Sequence, residues 1–209
     1  MSGSSEPTFK HGRWISAYSW ENAPTQQFRS GNQAISISTV RKQKQKRGTP
    51  VKLYVCKWYK TAGVGLTGTD GDKYIFQEWK TFRSLQHPNI VAYEDFSYDP
   101  NGARMAKLYM EYCPGGDLRL FQNAGSQDNR LGVDEGLQIL EQLAQALLYI
   151  HHGISKTADR LQLARPADSE PALSHDGKAS EWNSILHRDV KPENGTSTLH
   201  SVSSPLIIW

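Results

Sequence analysis

Residues 187–194 read His-Arg-Asp-Val-Lys-Pro-Glu-Asn and carry side chains able to handle protons, charge or metal. Asp189 and Asn194 lie five positions apart, with Lys191 between them. This spacing suits a loop that turns back on itself, so that both groups face one reacting phosphate. Lys191 could neutralise a transferring phosphoryl group as a point charge. The alternative is a polar surface loop without chemistry, which a lone His-Arg-Asp triplet would favour but the full octapeptide does not.

A carboxylate on the apolar face of a predicted helix indicates a charge pair upstream of this segment. Residues 73–86 have apolar side chains at helical spacing, namely Ile75, Trp79, Phe82 and Leu85. Glu78 lies on or beside that face, where a carboxylate is costly unless it is paired. We expect Lys57 of the preceding strand to be its partner. Lys52 and Lys60 are alternatives, and a competing interpretation places Glu78 in water at the helix rim.

Four segments around these residues read as β-strands. They are residues 34–40, 51–58, 90–96 and 106–112, which are rich in apolar, aromatic and β-branched side chains. Residues 41–50, between the first two, are strongly basic. We interpret this run as a solvated hairpin tip rather than as a nuclear address or a nucleic-acid patch.

The last of these strands runs through Met110 into a Pro-Gly-Gly sequence at 114–116. A strand that ends in such a kink before a short helix suits a hinge between two lobes. Glu111 and Cys113 would lie in that hinge. Plain core packing is one interpretation of the Met110 side chain.

The clearest helix is predicted over residues 133–152, with one apolar stripe formed by Leu137, Leu140, Leu143, Leu147 and Ile150. Asp134 is a suitable N-cap and Gly153 a stop signal. We do not expect the adjacent histidines at 151–152 to bind a metal together, because neighbouring helical positions point apart. The helix dipole alone favours histidine at a helix C-terminus.

The chain has 209 residues, of which 37% are hydrophobic, and this composition is typical of an ordinary globular protein. A net charge of +3 is too small to indicate nucleic-acid binding. Two cysteines, Cys56 and Cys113, provide no disulfide framework and suit a reducing compartment. There is no apolar signal region and no run of about 18 apolar residues, so we expect a cytoplasmic or nuclear protein without a membrane segment. The sequence does not indicate an oligomeric state.

Two segments lack any period of apolar residues. Residues 1–26 are rich in Ser, Gly, Pro and Asn, and we predict a mostly flexible extension whose aromatic side chains could dock on the domain. Residues 155–184 mix Ala, Ser, Asp, Pro, Lys and Gln, and we predict a flexible insertion there.

With these elements in place, the chain resembles a eukaryotic protein kinase of the serine/threonine type. Within that superfamily it resembles the NimA-related kinases. The motifs that carry the likeness are His-Pro-Asn-Ile-Val at 87–91, Met-Glu-Tyr-Cys at 110–113, Gly-Gly-Asp-Leu at 115–118 and the octapeptide at 187–194. A spacer precedes the octapeptide, as is common in that group. The likeness covers residues 27–194.

The resemblance implies an α+β, bilobal fold. Residues 27–113 would be the N-lobe, an antiparallel sheet plus one helix. Residues 114–194 would be the beginning of the helical C-lobe. The reaction would transfer the γ-phosphoryl group of ATP to a protein Ser or Thr hydroxyl, with Mg²⁺ as the metal and a protein as the substrate.

The resemblance also assigns roles to individual residues. Asp189 would be the catalytic base and Lys191 would steady the phosphoryl group, while Asn194 would be a magnesium ligand. Lys57 would pair with the ATP phosphates and with Glu78. His187 would pack structurally, and Arg188 would meet a phosphorylated activation loop. Backbone groups of Glu111 and Cys113 would meet the edge of the adenine, and Met110 would form the back wall of that pocket. The residues expected to bind the nucleotide are Gly31, Ile37, Val55, Lys57, Glu78, Met110, Glu111 and Cys113.

The kinase pattern stops after Asn194. Residues 195–209 lack the apolar strand and the Asp-Phe-Gly motif that should follow, and end in an apolar tail at 205–209 with nothing obvious to pack on. Gly31 is the only glycine of the expected Gly-rich loop. We therefore expect a chain truncated after the catalytic loop, with weak or no transfer activity by itself. The alternative is a non-catalytic kinase fragment or pseudokinase that acts as a binding module.

Overall fold

The computed structural model describes residues 6–28, 36–43, 50–61, 69–101, 103–119, 132–157, 160–163, 182–187, 189–197 and 206–208. Gly31, Arg188 and most of the predicted basic hairpin tip lie outside these residues. The chain divides into two compact units, Met1–Arg83 with Tyr93–Tyr112, and Ser84–Ala92 with Cys113–Trp209. The boundary predicted after Cys113 lies one residue from the point where the chain passes into the second unit.

Among the described residues, the first unit contains a seven-stranded sheet in which neighbouring strands are antiparallel. Its strands are β1 (Thr8–Lys10), β2 (Arg13–Ile15), β3 (Trp20–Phe28), β4 (Ser36–Lys42), β5 (Leu53–Lys60), β6 (Tyr93–Asp99) and β7 (Met105–Glu111). The order across the sheet is β1-β2-β6-β7-β5-β4-β3. The predicted α+β class, with an antiparallel sheet plus one helix in this unit, is confirmed.

Helix α1 (Thr69–Ser84) packs aromatic side chains on one face of this sheet, which we call the inner face. The Trp79 ring stacks on Phe96 of β6, with centroids 4.5 Å apart and planes at 11°. Phe76 meets Tyr98, two positions further along β6, at 4.8 Å. Because residues two apart in a strand share a face, these contacts fix the helix on the inner face. The opposite face is called the outer face.

The N-terminal residues differ from the prediction of a mostly flexible extension over 1–26. Residues 8–10, 13–15 and 20–28 are strands of the sheet. Trp20 stacks on Tyr109 of the outer face, with ring centroids 4.3 Å apart and planes at 9°. The segment is ordered by these aromatic contacts and by strand pairing, neither of which shows as a local period in the sequence.

The second unit is built around helix α2 (Val133–His152), with the bounds that its sequence predicts. The helix ends at Gly153, whose φ of 68° is left-handed, so the predicted stop signal is confirmed. The predicted N-cap Asp134 is wrong, because Gly132 holds the cap position. The Gly132 N–H donates to Oε2 of Glu135 at 2.8 Å. Asp134 lies in the first turn, where its negative charge interacts favourably with the helix dipole.

The core of the second unit forms around the C-terminal half of α2. Ala146, Tyr149 and Ile150 are buried against Ile90. The predicted apolar stripe joins this core through its second half, since Leu137 and Leu140 in its first half are 58% and 59% exposed. No helix in the described part of the chain is long and apolar enough to cross a membrane.

Part of the predicted flexible insertion at 155–184 is a hairpin. Strands β8 (Ile154–Thr157) and β9 (Arg160–Leu163) pair antiparallel directly after α2. Residues 164–181 lie outside the described residues, and the chain is described again from Trp182. The hairpin alternates too few apolar residues to be predicted as a pair of strands.

The tail also differs from its prediction. Residues Pro192–Asn194 form one 3-10 turn, which leads into β10 (Gly195–Ser197). This strand pairs antiparallel with β11 (Leu206–Ile208), and β11 contacts α2. Backbone pairing forms the strand although its side chains are small and polar.

Candidate functional site

The structure brings Lys57 and Glu78 together. The Lys57 Nζ donates to Oε1 of Glu78 at 2.7 Å. Strand β5 positions the lysine and helix α1 positions the glutamate, so the pair joins two elements of the first unit. The two side chains are 15% and 19% exposed, which shields the pair from much of the solvent.

Tyr59, two residues after Lys57 on the same strand, lies beside this pair. The Lys57 Nζ lies 5.3 Å from the centre of the Tyr59 ring. Burial raises the pKa of the Tyr59 hydroxyl, and the neighbouring Glu78 carboxylate raises that pKa further. The tyrosine is thus a neutral wall beside the charged pair. Sequence reasoning did not include it, although its alternation with Lys57 indicates a shared face.

The predicted apolar residues Ile37, Val55 and Met110 lie on the same face of the sheet as Lys57. The register pairs Ile37 of β4 with Lys57, and Val55 of β5 with Met110 of β7. Directly opposed residues point to one side of an antiparallel sheet. Ile37 and Met110 are buried. The structure therefore places an apolar floor beside the Lys57–Glu78 pair.

Glu111 and Cys113 lie where the first unit ends and the second begins. Glu111 pairs in register with Tyr54, whose neighbours belong to the outer face, so its side chain does not join the floor on the inner face. A role for Glu111 through its backbone stays a prediction. The turn that follows Cys113 closes with a bond from the Gly116 N–H to the Cys113 carbonyl oxygen at 3.4 Å.

In the second unit, Asp189 gathers the polar groups of its own segment. Lys191 Nζ donates to Oδ2 of Asp189 at 2.8 Å, and Asn194 Nδ2 donates to the same oxygen at 2.9 Å. The same Asn194 nitrogen lies 2.8 Å from the Asp189 carbonyl oxygen, and the Asp189 N–H donates to Nδ1 of His187 at 3.3 Å. These bonds hold the segment in the turned-back loop that its spacing predicts.

The bonds also change the acidity of Asp189. Hydrogen bonds from Lys191 and then from Asn194 favour the ionised carboxylate and lower its pKa below the usual range. Asp189 and Lys191 are nevertheless solvent-exposed, with 61% and 46% of their side chains accessible. The segment is thus an ionised, water-facing cluster.

The segment is anchored at the C-terminal end of α2 by residues that sequence reasoning missed. Trp182 Nε1 donates to the Ile150 carbonyl oxygen at 3.0 Å, and the Ile185 N–H donates to the same oxygen at 2.9 Å. The Ser184 hydroxyl donates to the His151 carbonyl oxygen at 2.6 Å. The one available signal was the apolar spacing of Trp182 and Ile185 just before the octapeptide.

The predicted residues thus form two groups, one in each unit. Lys57, Glu78, Ile37, Val55 and Met110 belong to the first unit, and Asp189, Lys191 and Asn194 to the second. Within the described ranges, no cluster of three or more His, Cys, Asp or Glu side chains could hold a metal ion by itself.

Comparison with known proteins bears on the first group and on helix α2. A family model described as a protein kinase domain matches residues 36–155. The chain is 37% identical over 118 residues to the G2-specific protein kinase nimA of Emericella nidulans, which covers 56% of this chain and 16% of that relative. It is 36% identical over 125 residues to the G2-specific protein kinase fin1 of Schizosaccharomyces pombe, covering 58% and 15%.

A third relative is the inhibitor of nuclear factor kappa-B kinase subunit beta of Bos taurus. It is 35% identical over 124 residues, covering 56% of this chain and 12% of the relative. The chain spans only a small part of the length of these relatives. The family match ends before residues 187–194. The octapeptide therefore supports the likeness to protein kinases independently of that match.

Proposed function

Because this chain belongs to the protein kinase family and is similar within it to the NimA-related serine/threonine kinases, we propose that it binds ATP and Mg²⁺ for phosphoryl transfer to a protein hydroxyl. Residues 27–113 would supply the nucleotide-binding part, and residues 114–194 the part that carries the transfer chemistry. The γ-phosphoryl group of ATP is the group transferred in this chemistry.

The observation that carries the proposal is the Lys57–Glu78 pair. A lysine held at 2.7 Å by a carboxylate from another element has a fixed ammonium position. In kinases, such a lysine pairs with the α- and β-phosphates while the helix glutamate holds it. Because the pair is little exposed, water screens its charges weakly, and the attraction of the Lys57 ammonium for a phosphate is correspondingly stronger.

The surroundings of this pair fit a nucleotide. The buried side chains of Ile37 and Met110 and the neighbouring Val55 give an apolar surface, which suits the flat face of an adenine. Backbone groups of Glu111 and Cys113 would meet the adenine edge.

The second group, Asp189, Lys191 and Asn194, suits the binding of a hard cation and the acceptance of a proton. The Asn194 amide nitrogen is engaged by Asp189, which leaves its oxygen for a cation such as Mg²⁺ that prefers oxygen ligands. Asp189 would accept the proton of the substrate hydroxyl, and Lys191 would hold negative charge on the phosphoryl group.

A second candidate function is nucleotide binding without efficient transfer. The observation that favours it is that residues 195–209 contain no Asp-Phe-Gly motif, whose Asp holds Mg²⁺ in kinases. We therefore propose that the chain binds Mg-ATP and transfers phosphoryl groups slowly.

Calorimetric titration of the 209-residue chain with Mg-ATP tests the nucleotide binding that both candidate functions require. We expect saturable binding that weakens about tenfold in Lys57→Met, because the variant loses a charge-assisted bond to phosphate. Lys107→Met is the matched control, since Lys107 lies on the opposite face of the same sheet, over the Trp58 ring. Equal weakening in both variants, or no binding, would contradict the proposal.

Transfer is measured with radiolabelled ATP and casein as a generic substrate. We expect slow incorporation that disappears in Asp189→Asn. Mg-ATP binding without incorporation above the Asp189→Asn background would support the binding module instead.

A further inference from the structure

The N-terminal hairpin β1–β2 contacts the helix that carries Glu78. Strand β2 extends the sheet beyond β6, with Trp14 paired in register with Tyr98. Directly opposed residues share a face, so Trp14 lies on the inner face, where α1 also packs. The proposed function does not use this hairpin.

Trp14 meets helix α1 at the residue next to Glu78. Its ring centroid lies 4.7 Å from that of Trp79, with the planes at 60°. Trp79 is 3% exposed and also stacks on Phe96. A ring contacted by both the sheet and the hairpin has little freedom to shift, and Glu78 is its chain neighbour.

A second contact reaches the last turn of the helix. Arg83 donates from Nη2 to Oε2 of Glu6 at 2.9 Å, just ahead of strand β1. This pair is largely exposed and contributes little by itself. It does place the N-terminal segment along the same helix, on the C-terminal side of Trp79.

The segment that follows β2 is fixed on the outer face by one buried carboxylate. Asp95 of β6 is fully buried. Its carboxylate accepts bonds from the Ser16 hydroxyl, from the Ala17 N–H at 3.2 Å, from the Tyr18 N–H at 3.3 Å and from Trp20 Nε1 at 2.9 Å. The N-terminal segment therefore contacts both faces of the sheet. Its hydrogen bonds to Asp95 on the outer face hold the chain next to Trp14, which packs on the inner face.

We propose that hairpin β1–β2 is a positioning element for the Lys57–Glu78 pair and acts through the contact of Trp14 with Trp79. The role in nucleotide binding rests on the proposed function, whereas the effect on helix α1 does not. Trp14 is the positioning residue, since it touches neither member of the pair in the described contacts.

Hydrogen exchange of the full chain, measured by mass spectrometry, tests the effect on the helix. We expect the amides of α1 to exchange about tenfold faster in Trp14→Ala, because an aromatic contact and its buried area are lost. The amides of α2 in the second unit should exchange at the wild-type rate, which also shows that the variant is folded. Ile15→Ser is the matched control, because Ile15 is the exposed neighbour of Trp14 on the same strand.

Two further variants keep the test decisive. Trp14→Phe should restore slow exchange in α1, while Trp14→Leu, a milder change than alanine, should give an intermediate rate. If Trp14→Ala or Trp14→Leu speeds exchange only in β1 and β2, the hairpin is merely attached to the sheet and the proposal is overturned.

Titration with Mg-ATP measures the consequence for the charge pair. We expect Trp14→Ala to weaken binding about fivefold and Ile15→Ser to leave it unchanged. Faster exchange in α1 without any Lys57-dependent ATP binding in the wild type would contradict the proposed function but keep the effect on the helix. Unchanged α1 exchange with normal ATP binding would contradict the positioning role alone.

Discussion

Two lysine–carboxylate pairs of nearly equal length differ in how they are held. The Lys57–Glu78 contact is 2.7 Å and the Lys191–Asp189 contact is 2.8 Å. The first pair joins a strand to a helix and is mostly buried. The second joins residues two positions apart in one exposed segment, so solvent reaches both of its members.

The difference shows that distance alone does not describe the strength of an ion pair. Between exposed charges, water weakens attraction and the long lysine side chain loses little by moving away. A partly buried pair has less solvent to turn to, so it constrains the elements that carry it. We therefore expect the first pair to fix backbone positions, and the second to respond easily to a bound phosphate or to pH.

The exposed pair still depends on a rigid anchor, which Gly153→Ala should disrupt. A Cβ at Gly153 would lie 2.6 Å from the Trp182 ring, and the φ of 68° strains any residue with a side chain. We expect a loss of about 3 kcal/mol in the free energy of unfolding, as the sum of backbone strain and overpacking. Urea titration followed by circular dichroism measures it.

Gly136→Ala is the matched control for this change. Gly136 lies in the same helix, and an added Cβ there meets nothing within 4 Å. We expect this variant to gain about 0.5–1 kcal/mol, because alanine favours the helix interior. In a Trp182→Ala background, Gly153→Ala should cause a smaller loss, because the overlap is removed and only the strain remains. An equal loss with and without Trp182 would show that Trp182 is not the obstacle.

The buried pair should give the next largest effect. In Glu78→Ala the helix loses its bond to Lys57, and we expect a loss of about 2 kcal/mol, below the usual figure for fully buried pairs because some solvent remains. The free energy of unfolding of the first unit measures it. Glu78→Gln, which keeps a hydrogen-bonding oxygen but not the charge, should lose less. A loss no larger than that of Lys191→Ala would contradict the distinction between the two pairs.

The sequence predicted those parts of the site that follow from local spacing. Glu78 lies three residues after Ile75 and four before Phe82, on or beside the apolar face of the helix. A carboxylate there is costly unless it is paired, so Lys57 could be named as its partner. The loop at Asp189 followed in the same way from eight consecutive residues. The α+β class was implied by the family resemblance, and it agrees with the periods that the sequence shows for strands β4 to β7 and for helices α1 and α2.

The remainder depends on contacts between residues distant in sequence. Asp95 orders Ser16–Trp20, 75 or more residues earlier in the chain, and nothing in either segment indicates the other. The exposure of Leu137 and Leu140 likewise reflects which neighbours surround α2 and not the period of its side chains. Pairing of β10 with β11 is a backbone interaction, which small polar side chains do not reveal.

The smallest expected effect concerns the acidity of Asp189. Its pKa in the folded chain is lowered first by Lys191 and second by Asn194, so Lys191→Ala should raise that pKa towards the usual value more than Asn194→Ala does. A lowered carboxylate pKa stabilises the fold above the pKa of the unfolded chain, about 4, and this contribution disappears as pH falls through the lowered folded value. Because the carboxylate is exposed to solvent, neither variant should change the melting temperature measurably at pH 7. Carbon-detected NMR titration of the Asp189 carboxyl group measures the order of the two shifts. A larger rise in Asn194→Ala would mean that Asn194 lowers this pKa more than Lys191 does. A change in melting temperature as large as that of Glu78→Ala would mean that solvent screens this pair no better than the buried one.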